Sequence, residues 1–382
     1  MIDDLASQLR PHYSRFLSRT GEVLMTGHSH QAWPDVSRDG HLEAWDDAAL
    51  LADKKWGRIF SEILPQYRAC LASRIGARSP SAIAVAPNTH ELLLRFLSCF
   101  PDRSRVMTTD REFHSMRRQL ARLEEDGHPI VWIPREYDFV EALEREKPPV
   151  AMLSHVFFAT SEIVDLMPIL TSAARLGIPL LIDAYHAFNV LEMDIASWPG
   201  EVFVISGGYK YAEHGEGACW MHVPLFADRF RPRNTGWFAD FAGLERTQGE
   251  IGYASGGDRF LGSTFDPTAF YRGLRVMEWM DRQGLSTAVL RAHSMAQTAR
   301  LIERYDALDL ASRGVGLASP RDPARRAGFV AFEHDDASGL VGRLEARGVR
   351  ADARARWLRF GPAPYTTSME IDRAMDALAA SL

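Results

Sequence analysis

The sequence predicts an α/β protein with a mainly parallel sheet and a smaller α/β unit at its C-terminal end. Three observations predict it. Short apolar runs recur at 83–86, 106–109, 130–133, 150–154, 180–183 and 202–206. Segments with helical spacing or capping chemistry stand between several of them. Two runs end in reactive side chains, Asp183 with His186 and then Lys210, and functional residues collect at the carboxyl edge of such sheets.

The elements follow in order. Residues 1 to about 20 read as a short helix with Leu5, Leu9, Phe16 and Leu17 as apolar positions. Residues 24–34 read as a loop bounded by glycine and proline. It holds His28 and His30, but without a third ligand the pair predicts a polar loop and no metal. Residues 41–75 read as helical, with Trp45, Leu50, Trp56, Ile59, Phe60 and Ile63 packing inward. Strand 83–86 runs into Pro87-Asn88-Thr89-His90-Glu91, which opens a helix. Asn88 and Thr89 suit an N-cap, and free amides there suit a phosphate. A helix over 165–177 ends at Gly177. Asp266-Pro267 starts another, with Phe270, Leu274, Met277 and Met280 on one face. Residues 285–305 are helical, and 328–332 begin the small-unit sheet.

Composition narrows the function classes. The chain has 382 residues, enough for two or three domains. A net charge of -6 offers no general attraction to nucleic acid or anionic membrane. Arginine-rich stretches at 321–326 and 347–359 lack interleaved aromatic binding motifs. No run is long and apolar enough to span a bilayer, and the acidic start has no signal-peptide core. Cys70, Cys99 and Cys219 have no CxxC spacing, so free thiols and a reducing cytoplasm are expected. Dinucleotide, Walker, HExxH and GxSxG signatures are absent.

Lys210 and Asp183 are the pair that pyridoxal 5'-phosphate (PLP) chemistry needs. The lysine forms a Schiff base with the aldehyde, and the aspartate keeps the pyridine nitrogen protonated. Around them stand Asp183-Ala184-Tyr185-His186, Ser206-Gly207-Gly208-Tyr209-Lys210-Tyr211 and Gly215-Glu216-Gly217. This set resembles the core of the class V aminotransferase superfamily, and most of all kynureninase, over nearly the whole chain.

The resemblance implies PLP-dependent fold type I, with a mainly parallel seven-stranded sheet in a large domain and a small α/β C-terminal domain. It divides the chain into an N-terminal segment (1–40) that joins the small domain and a substrate loop, a PLP domain (41–265), and a connecting helix with the small domain (266–382). It implies catalytic roles for Lys210, Asp183 and His186, with His186 near the ring oxygen. Asn88, Thr89 and Tyr209 correspond to phosphate contacts, and Phe113 to the ring stacked on the pyridine, with His114 competing in another register. Trp237 and Thr264 correspond to contacts reaching a neighbouring subunit, which implies a homodimer with composite sites. Ser29 falls in the substrate loop, and Arg359 in Trp357-Leu358-Arg359-Phe360-Gly361-Pro362 corresponds to the substrate-carboxylate clamp.

Departures are visible too. Met116 replaces an acid of kynureninases, and no histidine occurs in 46–70, where that family contacts the aromatic substrate. Phe157 and Phe158 are expected to make one wall more apolar. For Glu213 and Glu216 the plain expectation is solvent exposure, the sharper one an altered charge at the entrance. Cysteine desulfurase chemistry needs a nucleophilic cysteine late in the chain, and the last one is Cys219. The expected activity is kynureninase-like hydrolysis of an amino acid. The alternatives are a class V aminotransferase and a non-catalytic PLP-fold binding protein.

Overall fold

The computed structural model describes all residues except 1, 19, 20, 136, 226, 244–248 and 250. Its strands in chain order are β1 (Val23–Leu24), β2 (Ile83–Ala86), β3 (Val106–Thr109), β4 (Ile130–Ile133), β5 (Val150–Ser154), β6 (Leu180–Asp183), β7 (Val202–Ser206), β8 (Cys219–His222), β9 (Gly316–Leu317), β10 (Val330–Glu333), β11 (Val349–Arg350), β12 (Asp352–Arg354) and β13 (Trp357–Phe360).

Seven of them form one sheet in the order β2-β8-β7-β6-β5-β3-β4. Pairing is parallel from β7 across to β4, while β8 runs antiparallel to both β7 and β2. β5, β6 and β7 are continuous apolar runs because helices cover both faces, leaving no solvent side for alternation. Their carboxyl ends therefore emerge together, and Asp183 pairs with Ile205 at the edge where the chain turns toward Lys210.

A second sheet, β12-β13-β10-β9, is antiparallel. It starts at Gly316, earlier than the sequence indicates. Leu340, Val349, Leu358 and Phe360 pack beneath it with Val23 and Met25 of the N-terminal segment. β1 pairs with β11, and beyond it Gly27 N donates to Gly361 O while Gly361 N donates to Met25 O. The loop carrying His28 and Ser29 is thereby fastened beside the strand carrying Arg359.

The first long helical region differs from its expected form. A helix spans Val36–Leu51, a π-turn occupies Ile59–Ile63 and a further helix runs Leu64–Ile75. Trp45 and Leu50 are 69% and 82% exposed, so they do not pack inward. The inward stripe is Ser37, Gly40 and Asp47 instead. Gly40 lies so close to the Thr268–Arg282 helix that a Cβ would stand 2.7 Å from Tyr271 O, and Tyr271 donates its hydroxyl to Asp47 at 2.7 Å. A small and polar contact face leaves no hydrophobic signature. Phe16 is also exposed, while Ile59 and Ile63 are buried as expected.

Candidate active site

The site begins with a turn that only small residues can make. β7 ends at Ser206, and Gly207 and Gly208 bring the chain over the sheet edge. A Cβ on Gly207 would stand 2.3 Å from the Tyr185 hydroxyl, and one on Gly208 2.6 Å from Gly215 O. Lys210 follows, 4% exposed, with its Nζ 2.8 Å from His186 Nε2. The rings of Tyr185, Phe113 and Tyr209 surround Nζ at 4.5, 5.0 and 5.6 Å.

Charge in this pocket is set by burial. Desolvation lowers the Lys210 amine to about 7, with the Asp183 carboxylate pulling the other way. Burial likewise raises Asp183, opposed by the Tyr185 amide that donates to Oδ1 at 2.8 Å and by Lys210. His186 is pushed well below its usual value by burial and then by the charges of Lys210 and Arg359, so it is neutral. Its Nδ1 has no hydrogen-bond partner among the described residues.

These groups line a cavity of about 230 Å³ with Asn88, Thr89, Phe113 and Tyr209. Asn88 caps the Thr89–Leu97 helix, its Oδ1 accepting the Glu91 amide at 2.9 Å. The residues fit PLP. A buried amine that is half neutral near pH 7 suits an aldehyde, a deep carboxyl group suits a pyridine nitrogen, and a helix N-terminus suits a phosphate. The partnerless His186 Nδ1 leaves a polar atom available in the same wall. Among the described residues no cluster of His, Cys, Asp and Glu fits a metal, and His28 and His30 are engaged separately.

The other expected site residues lie outside this cavity. Arg359 is 3% exposed and bonded to Asp352 and to Phe158 O. Ser29 is buried, its hydroxyl donating to Thr26 O at 3.1 Å. Trp237 and Thr264 are exposed. Phe113 rather than His114 borders Nζ, because His114 already begins the next helix and packs edge-on to Phe158. Phe158 lines the cavity, but Phe157 does not: it faces a separate open groove of about 760 Å³, under the Arg111 guanidinium. Glu213 corrects the plain expectation of exposure. It is 1% exposed, accepting from Tyr13 and, at 2.8 Å, from Gln31 Nε2. Glu216 is exposed and lines the cavity.

Sequence reasoning passed over three further features. Tyr185 stacks over Lys210, and Cys219 lines the cavity. Glu112 is buried between Thr109 Oγ1 and Ser154 Oγ, both at 2.5 Å, and burial raises it to about 7. Its position just before Phe113 is the sequence signal that points to it.

The family model for the kynureninase C-terminal domain matches residues 290–378. Kynureninase of Pseudomonas fluorescens is 26% identical over 98% of this chain and 92% of its own. An uncharacterized aminotransferase, YcbU of Bacillus subtilis (strain 168), is 24% identical over 81% of each. Among solved structures, a mutant of C-DES with glycine covalently linked to its PLP cofactor superposes with a TM-score of 0.83 at 17% identity, covering 97% of this chain and 98% of that one. The cysteine desulfurase CsdA of Escherichia coli gives 0.80 at 16% identity, with 98% of each chain covered. Fold and site together define a PLP-dependent enzyme of fold type I. In sequence the chain is kynureninase-like.

Proposed function

We propose that this enzyme cleaves an amino acid of the kynurenine type hydrolytically beyond its β-carbon. The observation that carries the reading is the aromatic enclosure of Lys210 by Phe113, Tyr185 and Tyr209, with Phe158 in the same wall. Such a lining suits a substrate with an aryl ketone side chain.

PLP, when bound, supplies an electron sink for the charge left by removal of a substrate proton. In this reading Lys210 Nζ would hold the cofactor's aldehyde and would serve as the base for the substrate α-proton. Its depressed basicity keeps a neutral amine available near pH 7. Asp183 would hold the proton of the pyridine nitrogen, and Phe113 would orient the ring. Asn88, Thr89 and Tyr209 would hold the phosphate, and neutral His186 would border the ring. Arg359 grips the substrate carboxylate, and Ser29 belongs to the substrate loop. Trp237 and Thr264, both exposed, reach a second copy's phosphate in a homodimer.

Transamination is the second reading. The absence of histidine from 46–70 and the likeness to YcbU favour it. The test is the absorption spectrum of the protein with PLP, followed by addition of L-kynurenine. Hydrolysis gives a cofactor band that Lys210→Ala abolishes, and release of fluorescent anthranilate. A band that converts to the pyridoxamine form with an amino acid, without anthranilate, selects transamination. Absence of any band leaves a non-catalytic protein on a borrowed fold.

A further inference from the structure

Arg359 does not stand alone. In the β12–β13 hairpin Asp352 is directly opposite Arg359, so both side chains project from the same face. Arg359 Nε donates to Asp352 Oδ1 at 2.9 Å, and Nη2 donates to Oδ2. Nη1 donates to Phe158 O at 2.7 Å. A guanidinium has five N–H groups. Among the described residues these bonds use three of the five, leaving one hydrogen on each terminal nitrogen for a second carboxylate.

Asp352 is itself held. His28 Nε2 lies 2.9 Å from Asp352 Oδ1. Burial lowers His28 to about 4, so its ring is neutral at pH 7 and the proton on Nε2 is the donor. The ring stacks on Phe329 at 4.8 Å, and a Cβ on Gly361 would stand 2.3 Å from its Nδ1. Backbone bonds of 2.8 Å from Gly27 N to Gly361 O and 2.7 Å from Gly361 N to Met25 O fix the loop to the strand end. On the far side Arg354 Nη2 is 3.6 Å from Asp352 Oδ2. Two guanidiniums, one carboxylate and a neutral imidazole leave a single net positive charge, matched to one α-carboxylate.

We propose that Asp352, braced by His28, is a positioning residue that presents the free fork of Arg359 to the α-carboxylate of a monocarboxylic amino acid. This rests on the functional reading above. The bond network fixes a long side chain before substrate arrives, so its ordering cost does not fall on binding. A counter-ion role makes the opposite prediction, because deleting the acid would raise the local positive charge and tighten carboxylate binding.

The experiment compares L-alanine with L-alaninamide, which lacks the carboxylate, by calorimetric titration of the PLP-loaded protein. The expected result for Asp352→Asn is about tenfold weaker binding of L-alanine, with L-alaninamide changed less than about twofold. His28→Ala reproduces the loss, while His28→Gln, which keeps a donor, restores it. An alanine-to-alaninamide ratio unmoved or increased in Asp352→Asn overturns the proposal, as does lack of any preference in the unsubstituted protein. Should Asp352→Asn fail to fold, the two His28 variants decide it: equal ratios in both overturn the bracing. Failure of the functional reading is seen separately, in the cofactor band and products of the unsubstituted protein.

Discussion

A lysine amine is a nucleophile only after losing its proton, and burial supplies that condition at Lys210. The Asp183 carboxylate opposes the shift, so the two groups set the amine near pH 7 together. Asp183→Asn removes the opposing charge and leaves desolvation, which lowers the amine further. The expected outcome is a PLP association rate whose pH midpoint moves acidward in Asp183→Asn. A midpoint that stays in place would show that Asp183 is not the group holding the proton on Lys210. Both residues were legible in the sequence because each closes an apolar run, a local pattern. Glu213 and Asp352 were not. Glu213 is buried by Tyr13 and Gln31, 200 and 182 positions away, and nothing near it in the sequence announces those partners. Asp352 is seven positions from Arg359, yet its role depends on the hairpin register, which a reading of the arginines by composition does not supply.

The Gly207–Gly208 turn carries the site at the scale of elements. Tyr185 and Cys219 both crowd the place where a Gly207 side chain would go, at 2.3 and 2.5 Å. Neither can retreat freely, since Tyr185 stacks over Nζ and Cys219 begins β8. Gly207→Ala is therefore expected to cost about 1–3 kcal/mol, the usual range for overpacking, and to weaken the cofactor band. Urea unfolding and PLP titration measure the two effects. Wild-type stability together with a wild-type band would contradict the crowding. The large sheet was legible because β5, β6 and β7 are uninterrupted apolar runs. The Val36–Leu51 helix was read onto the wrong face, since its contact stripe of Ser37, Gly40 and Asp47 contains no large apolar residue. Hydrophobic periodicity finds faces that exclude water by size, and it misses faces that pack by being small.

Across the whole molecule, buried titrating groups tie stability to pH. Among the described residues His28, His155, His186, His214, His222 and His293 are buried. Burial lowers His28, His155, His222 and His293 to about 4 and His214 to about 3, and His186 moves the same way. Unfolded, each titrates near 6.5. As pH falls below 6.5 the unfolded chain takes up these protons first, so their contribution to stability is lost toward pH 4. Glu112 and Glu213 work against this. Burial raises both to about 7, so the folded state binds their protons first, and their contribution is present below about 4.5 and lost as pH rises to 7. Six histidines against two glutamates leave acidification destabilising, at roughly 1.4 kcal/mol per pH unit for each net proton. Thermal midpoints are expected to fall steeply from pH 6.5 to pH 5. Glu213→Gln removes one of the opposing groups, so its midpoint should fall more steeply than that of the unsubstituted chain over the same interval. An equal or shallower slope in that variant would mean that Glu213 is already ionised in the fold, with the Tyr13 and Gln31 bonds outweighing the burial that raises it.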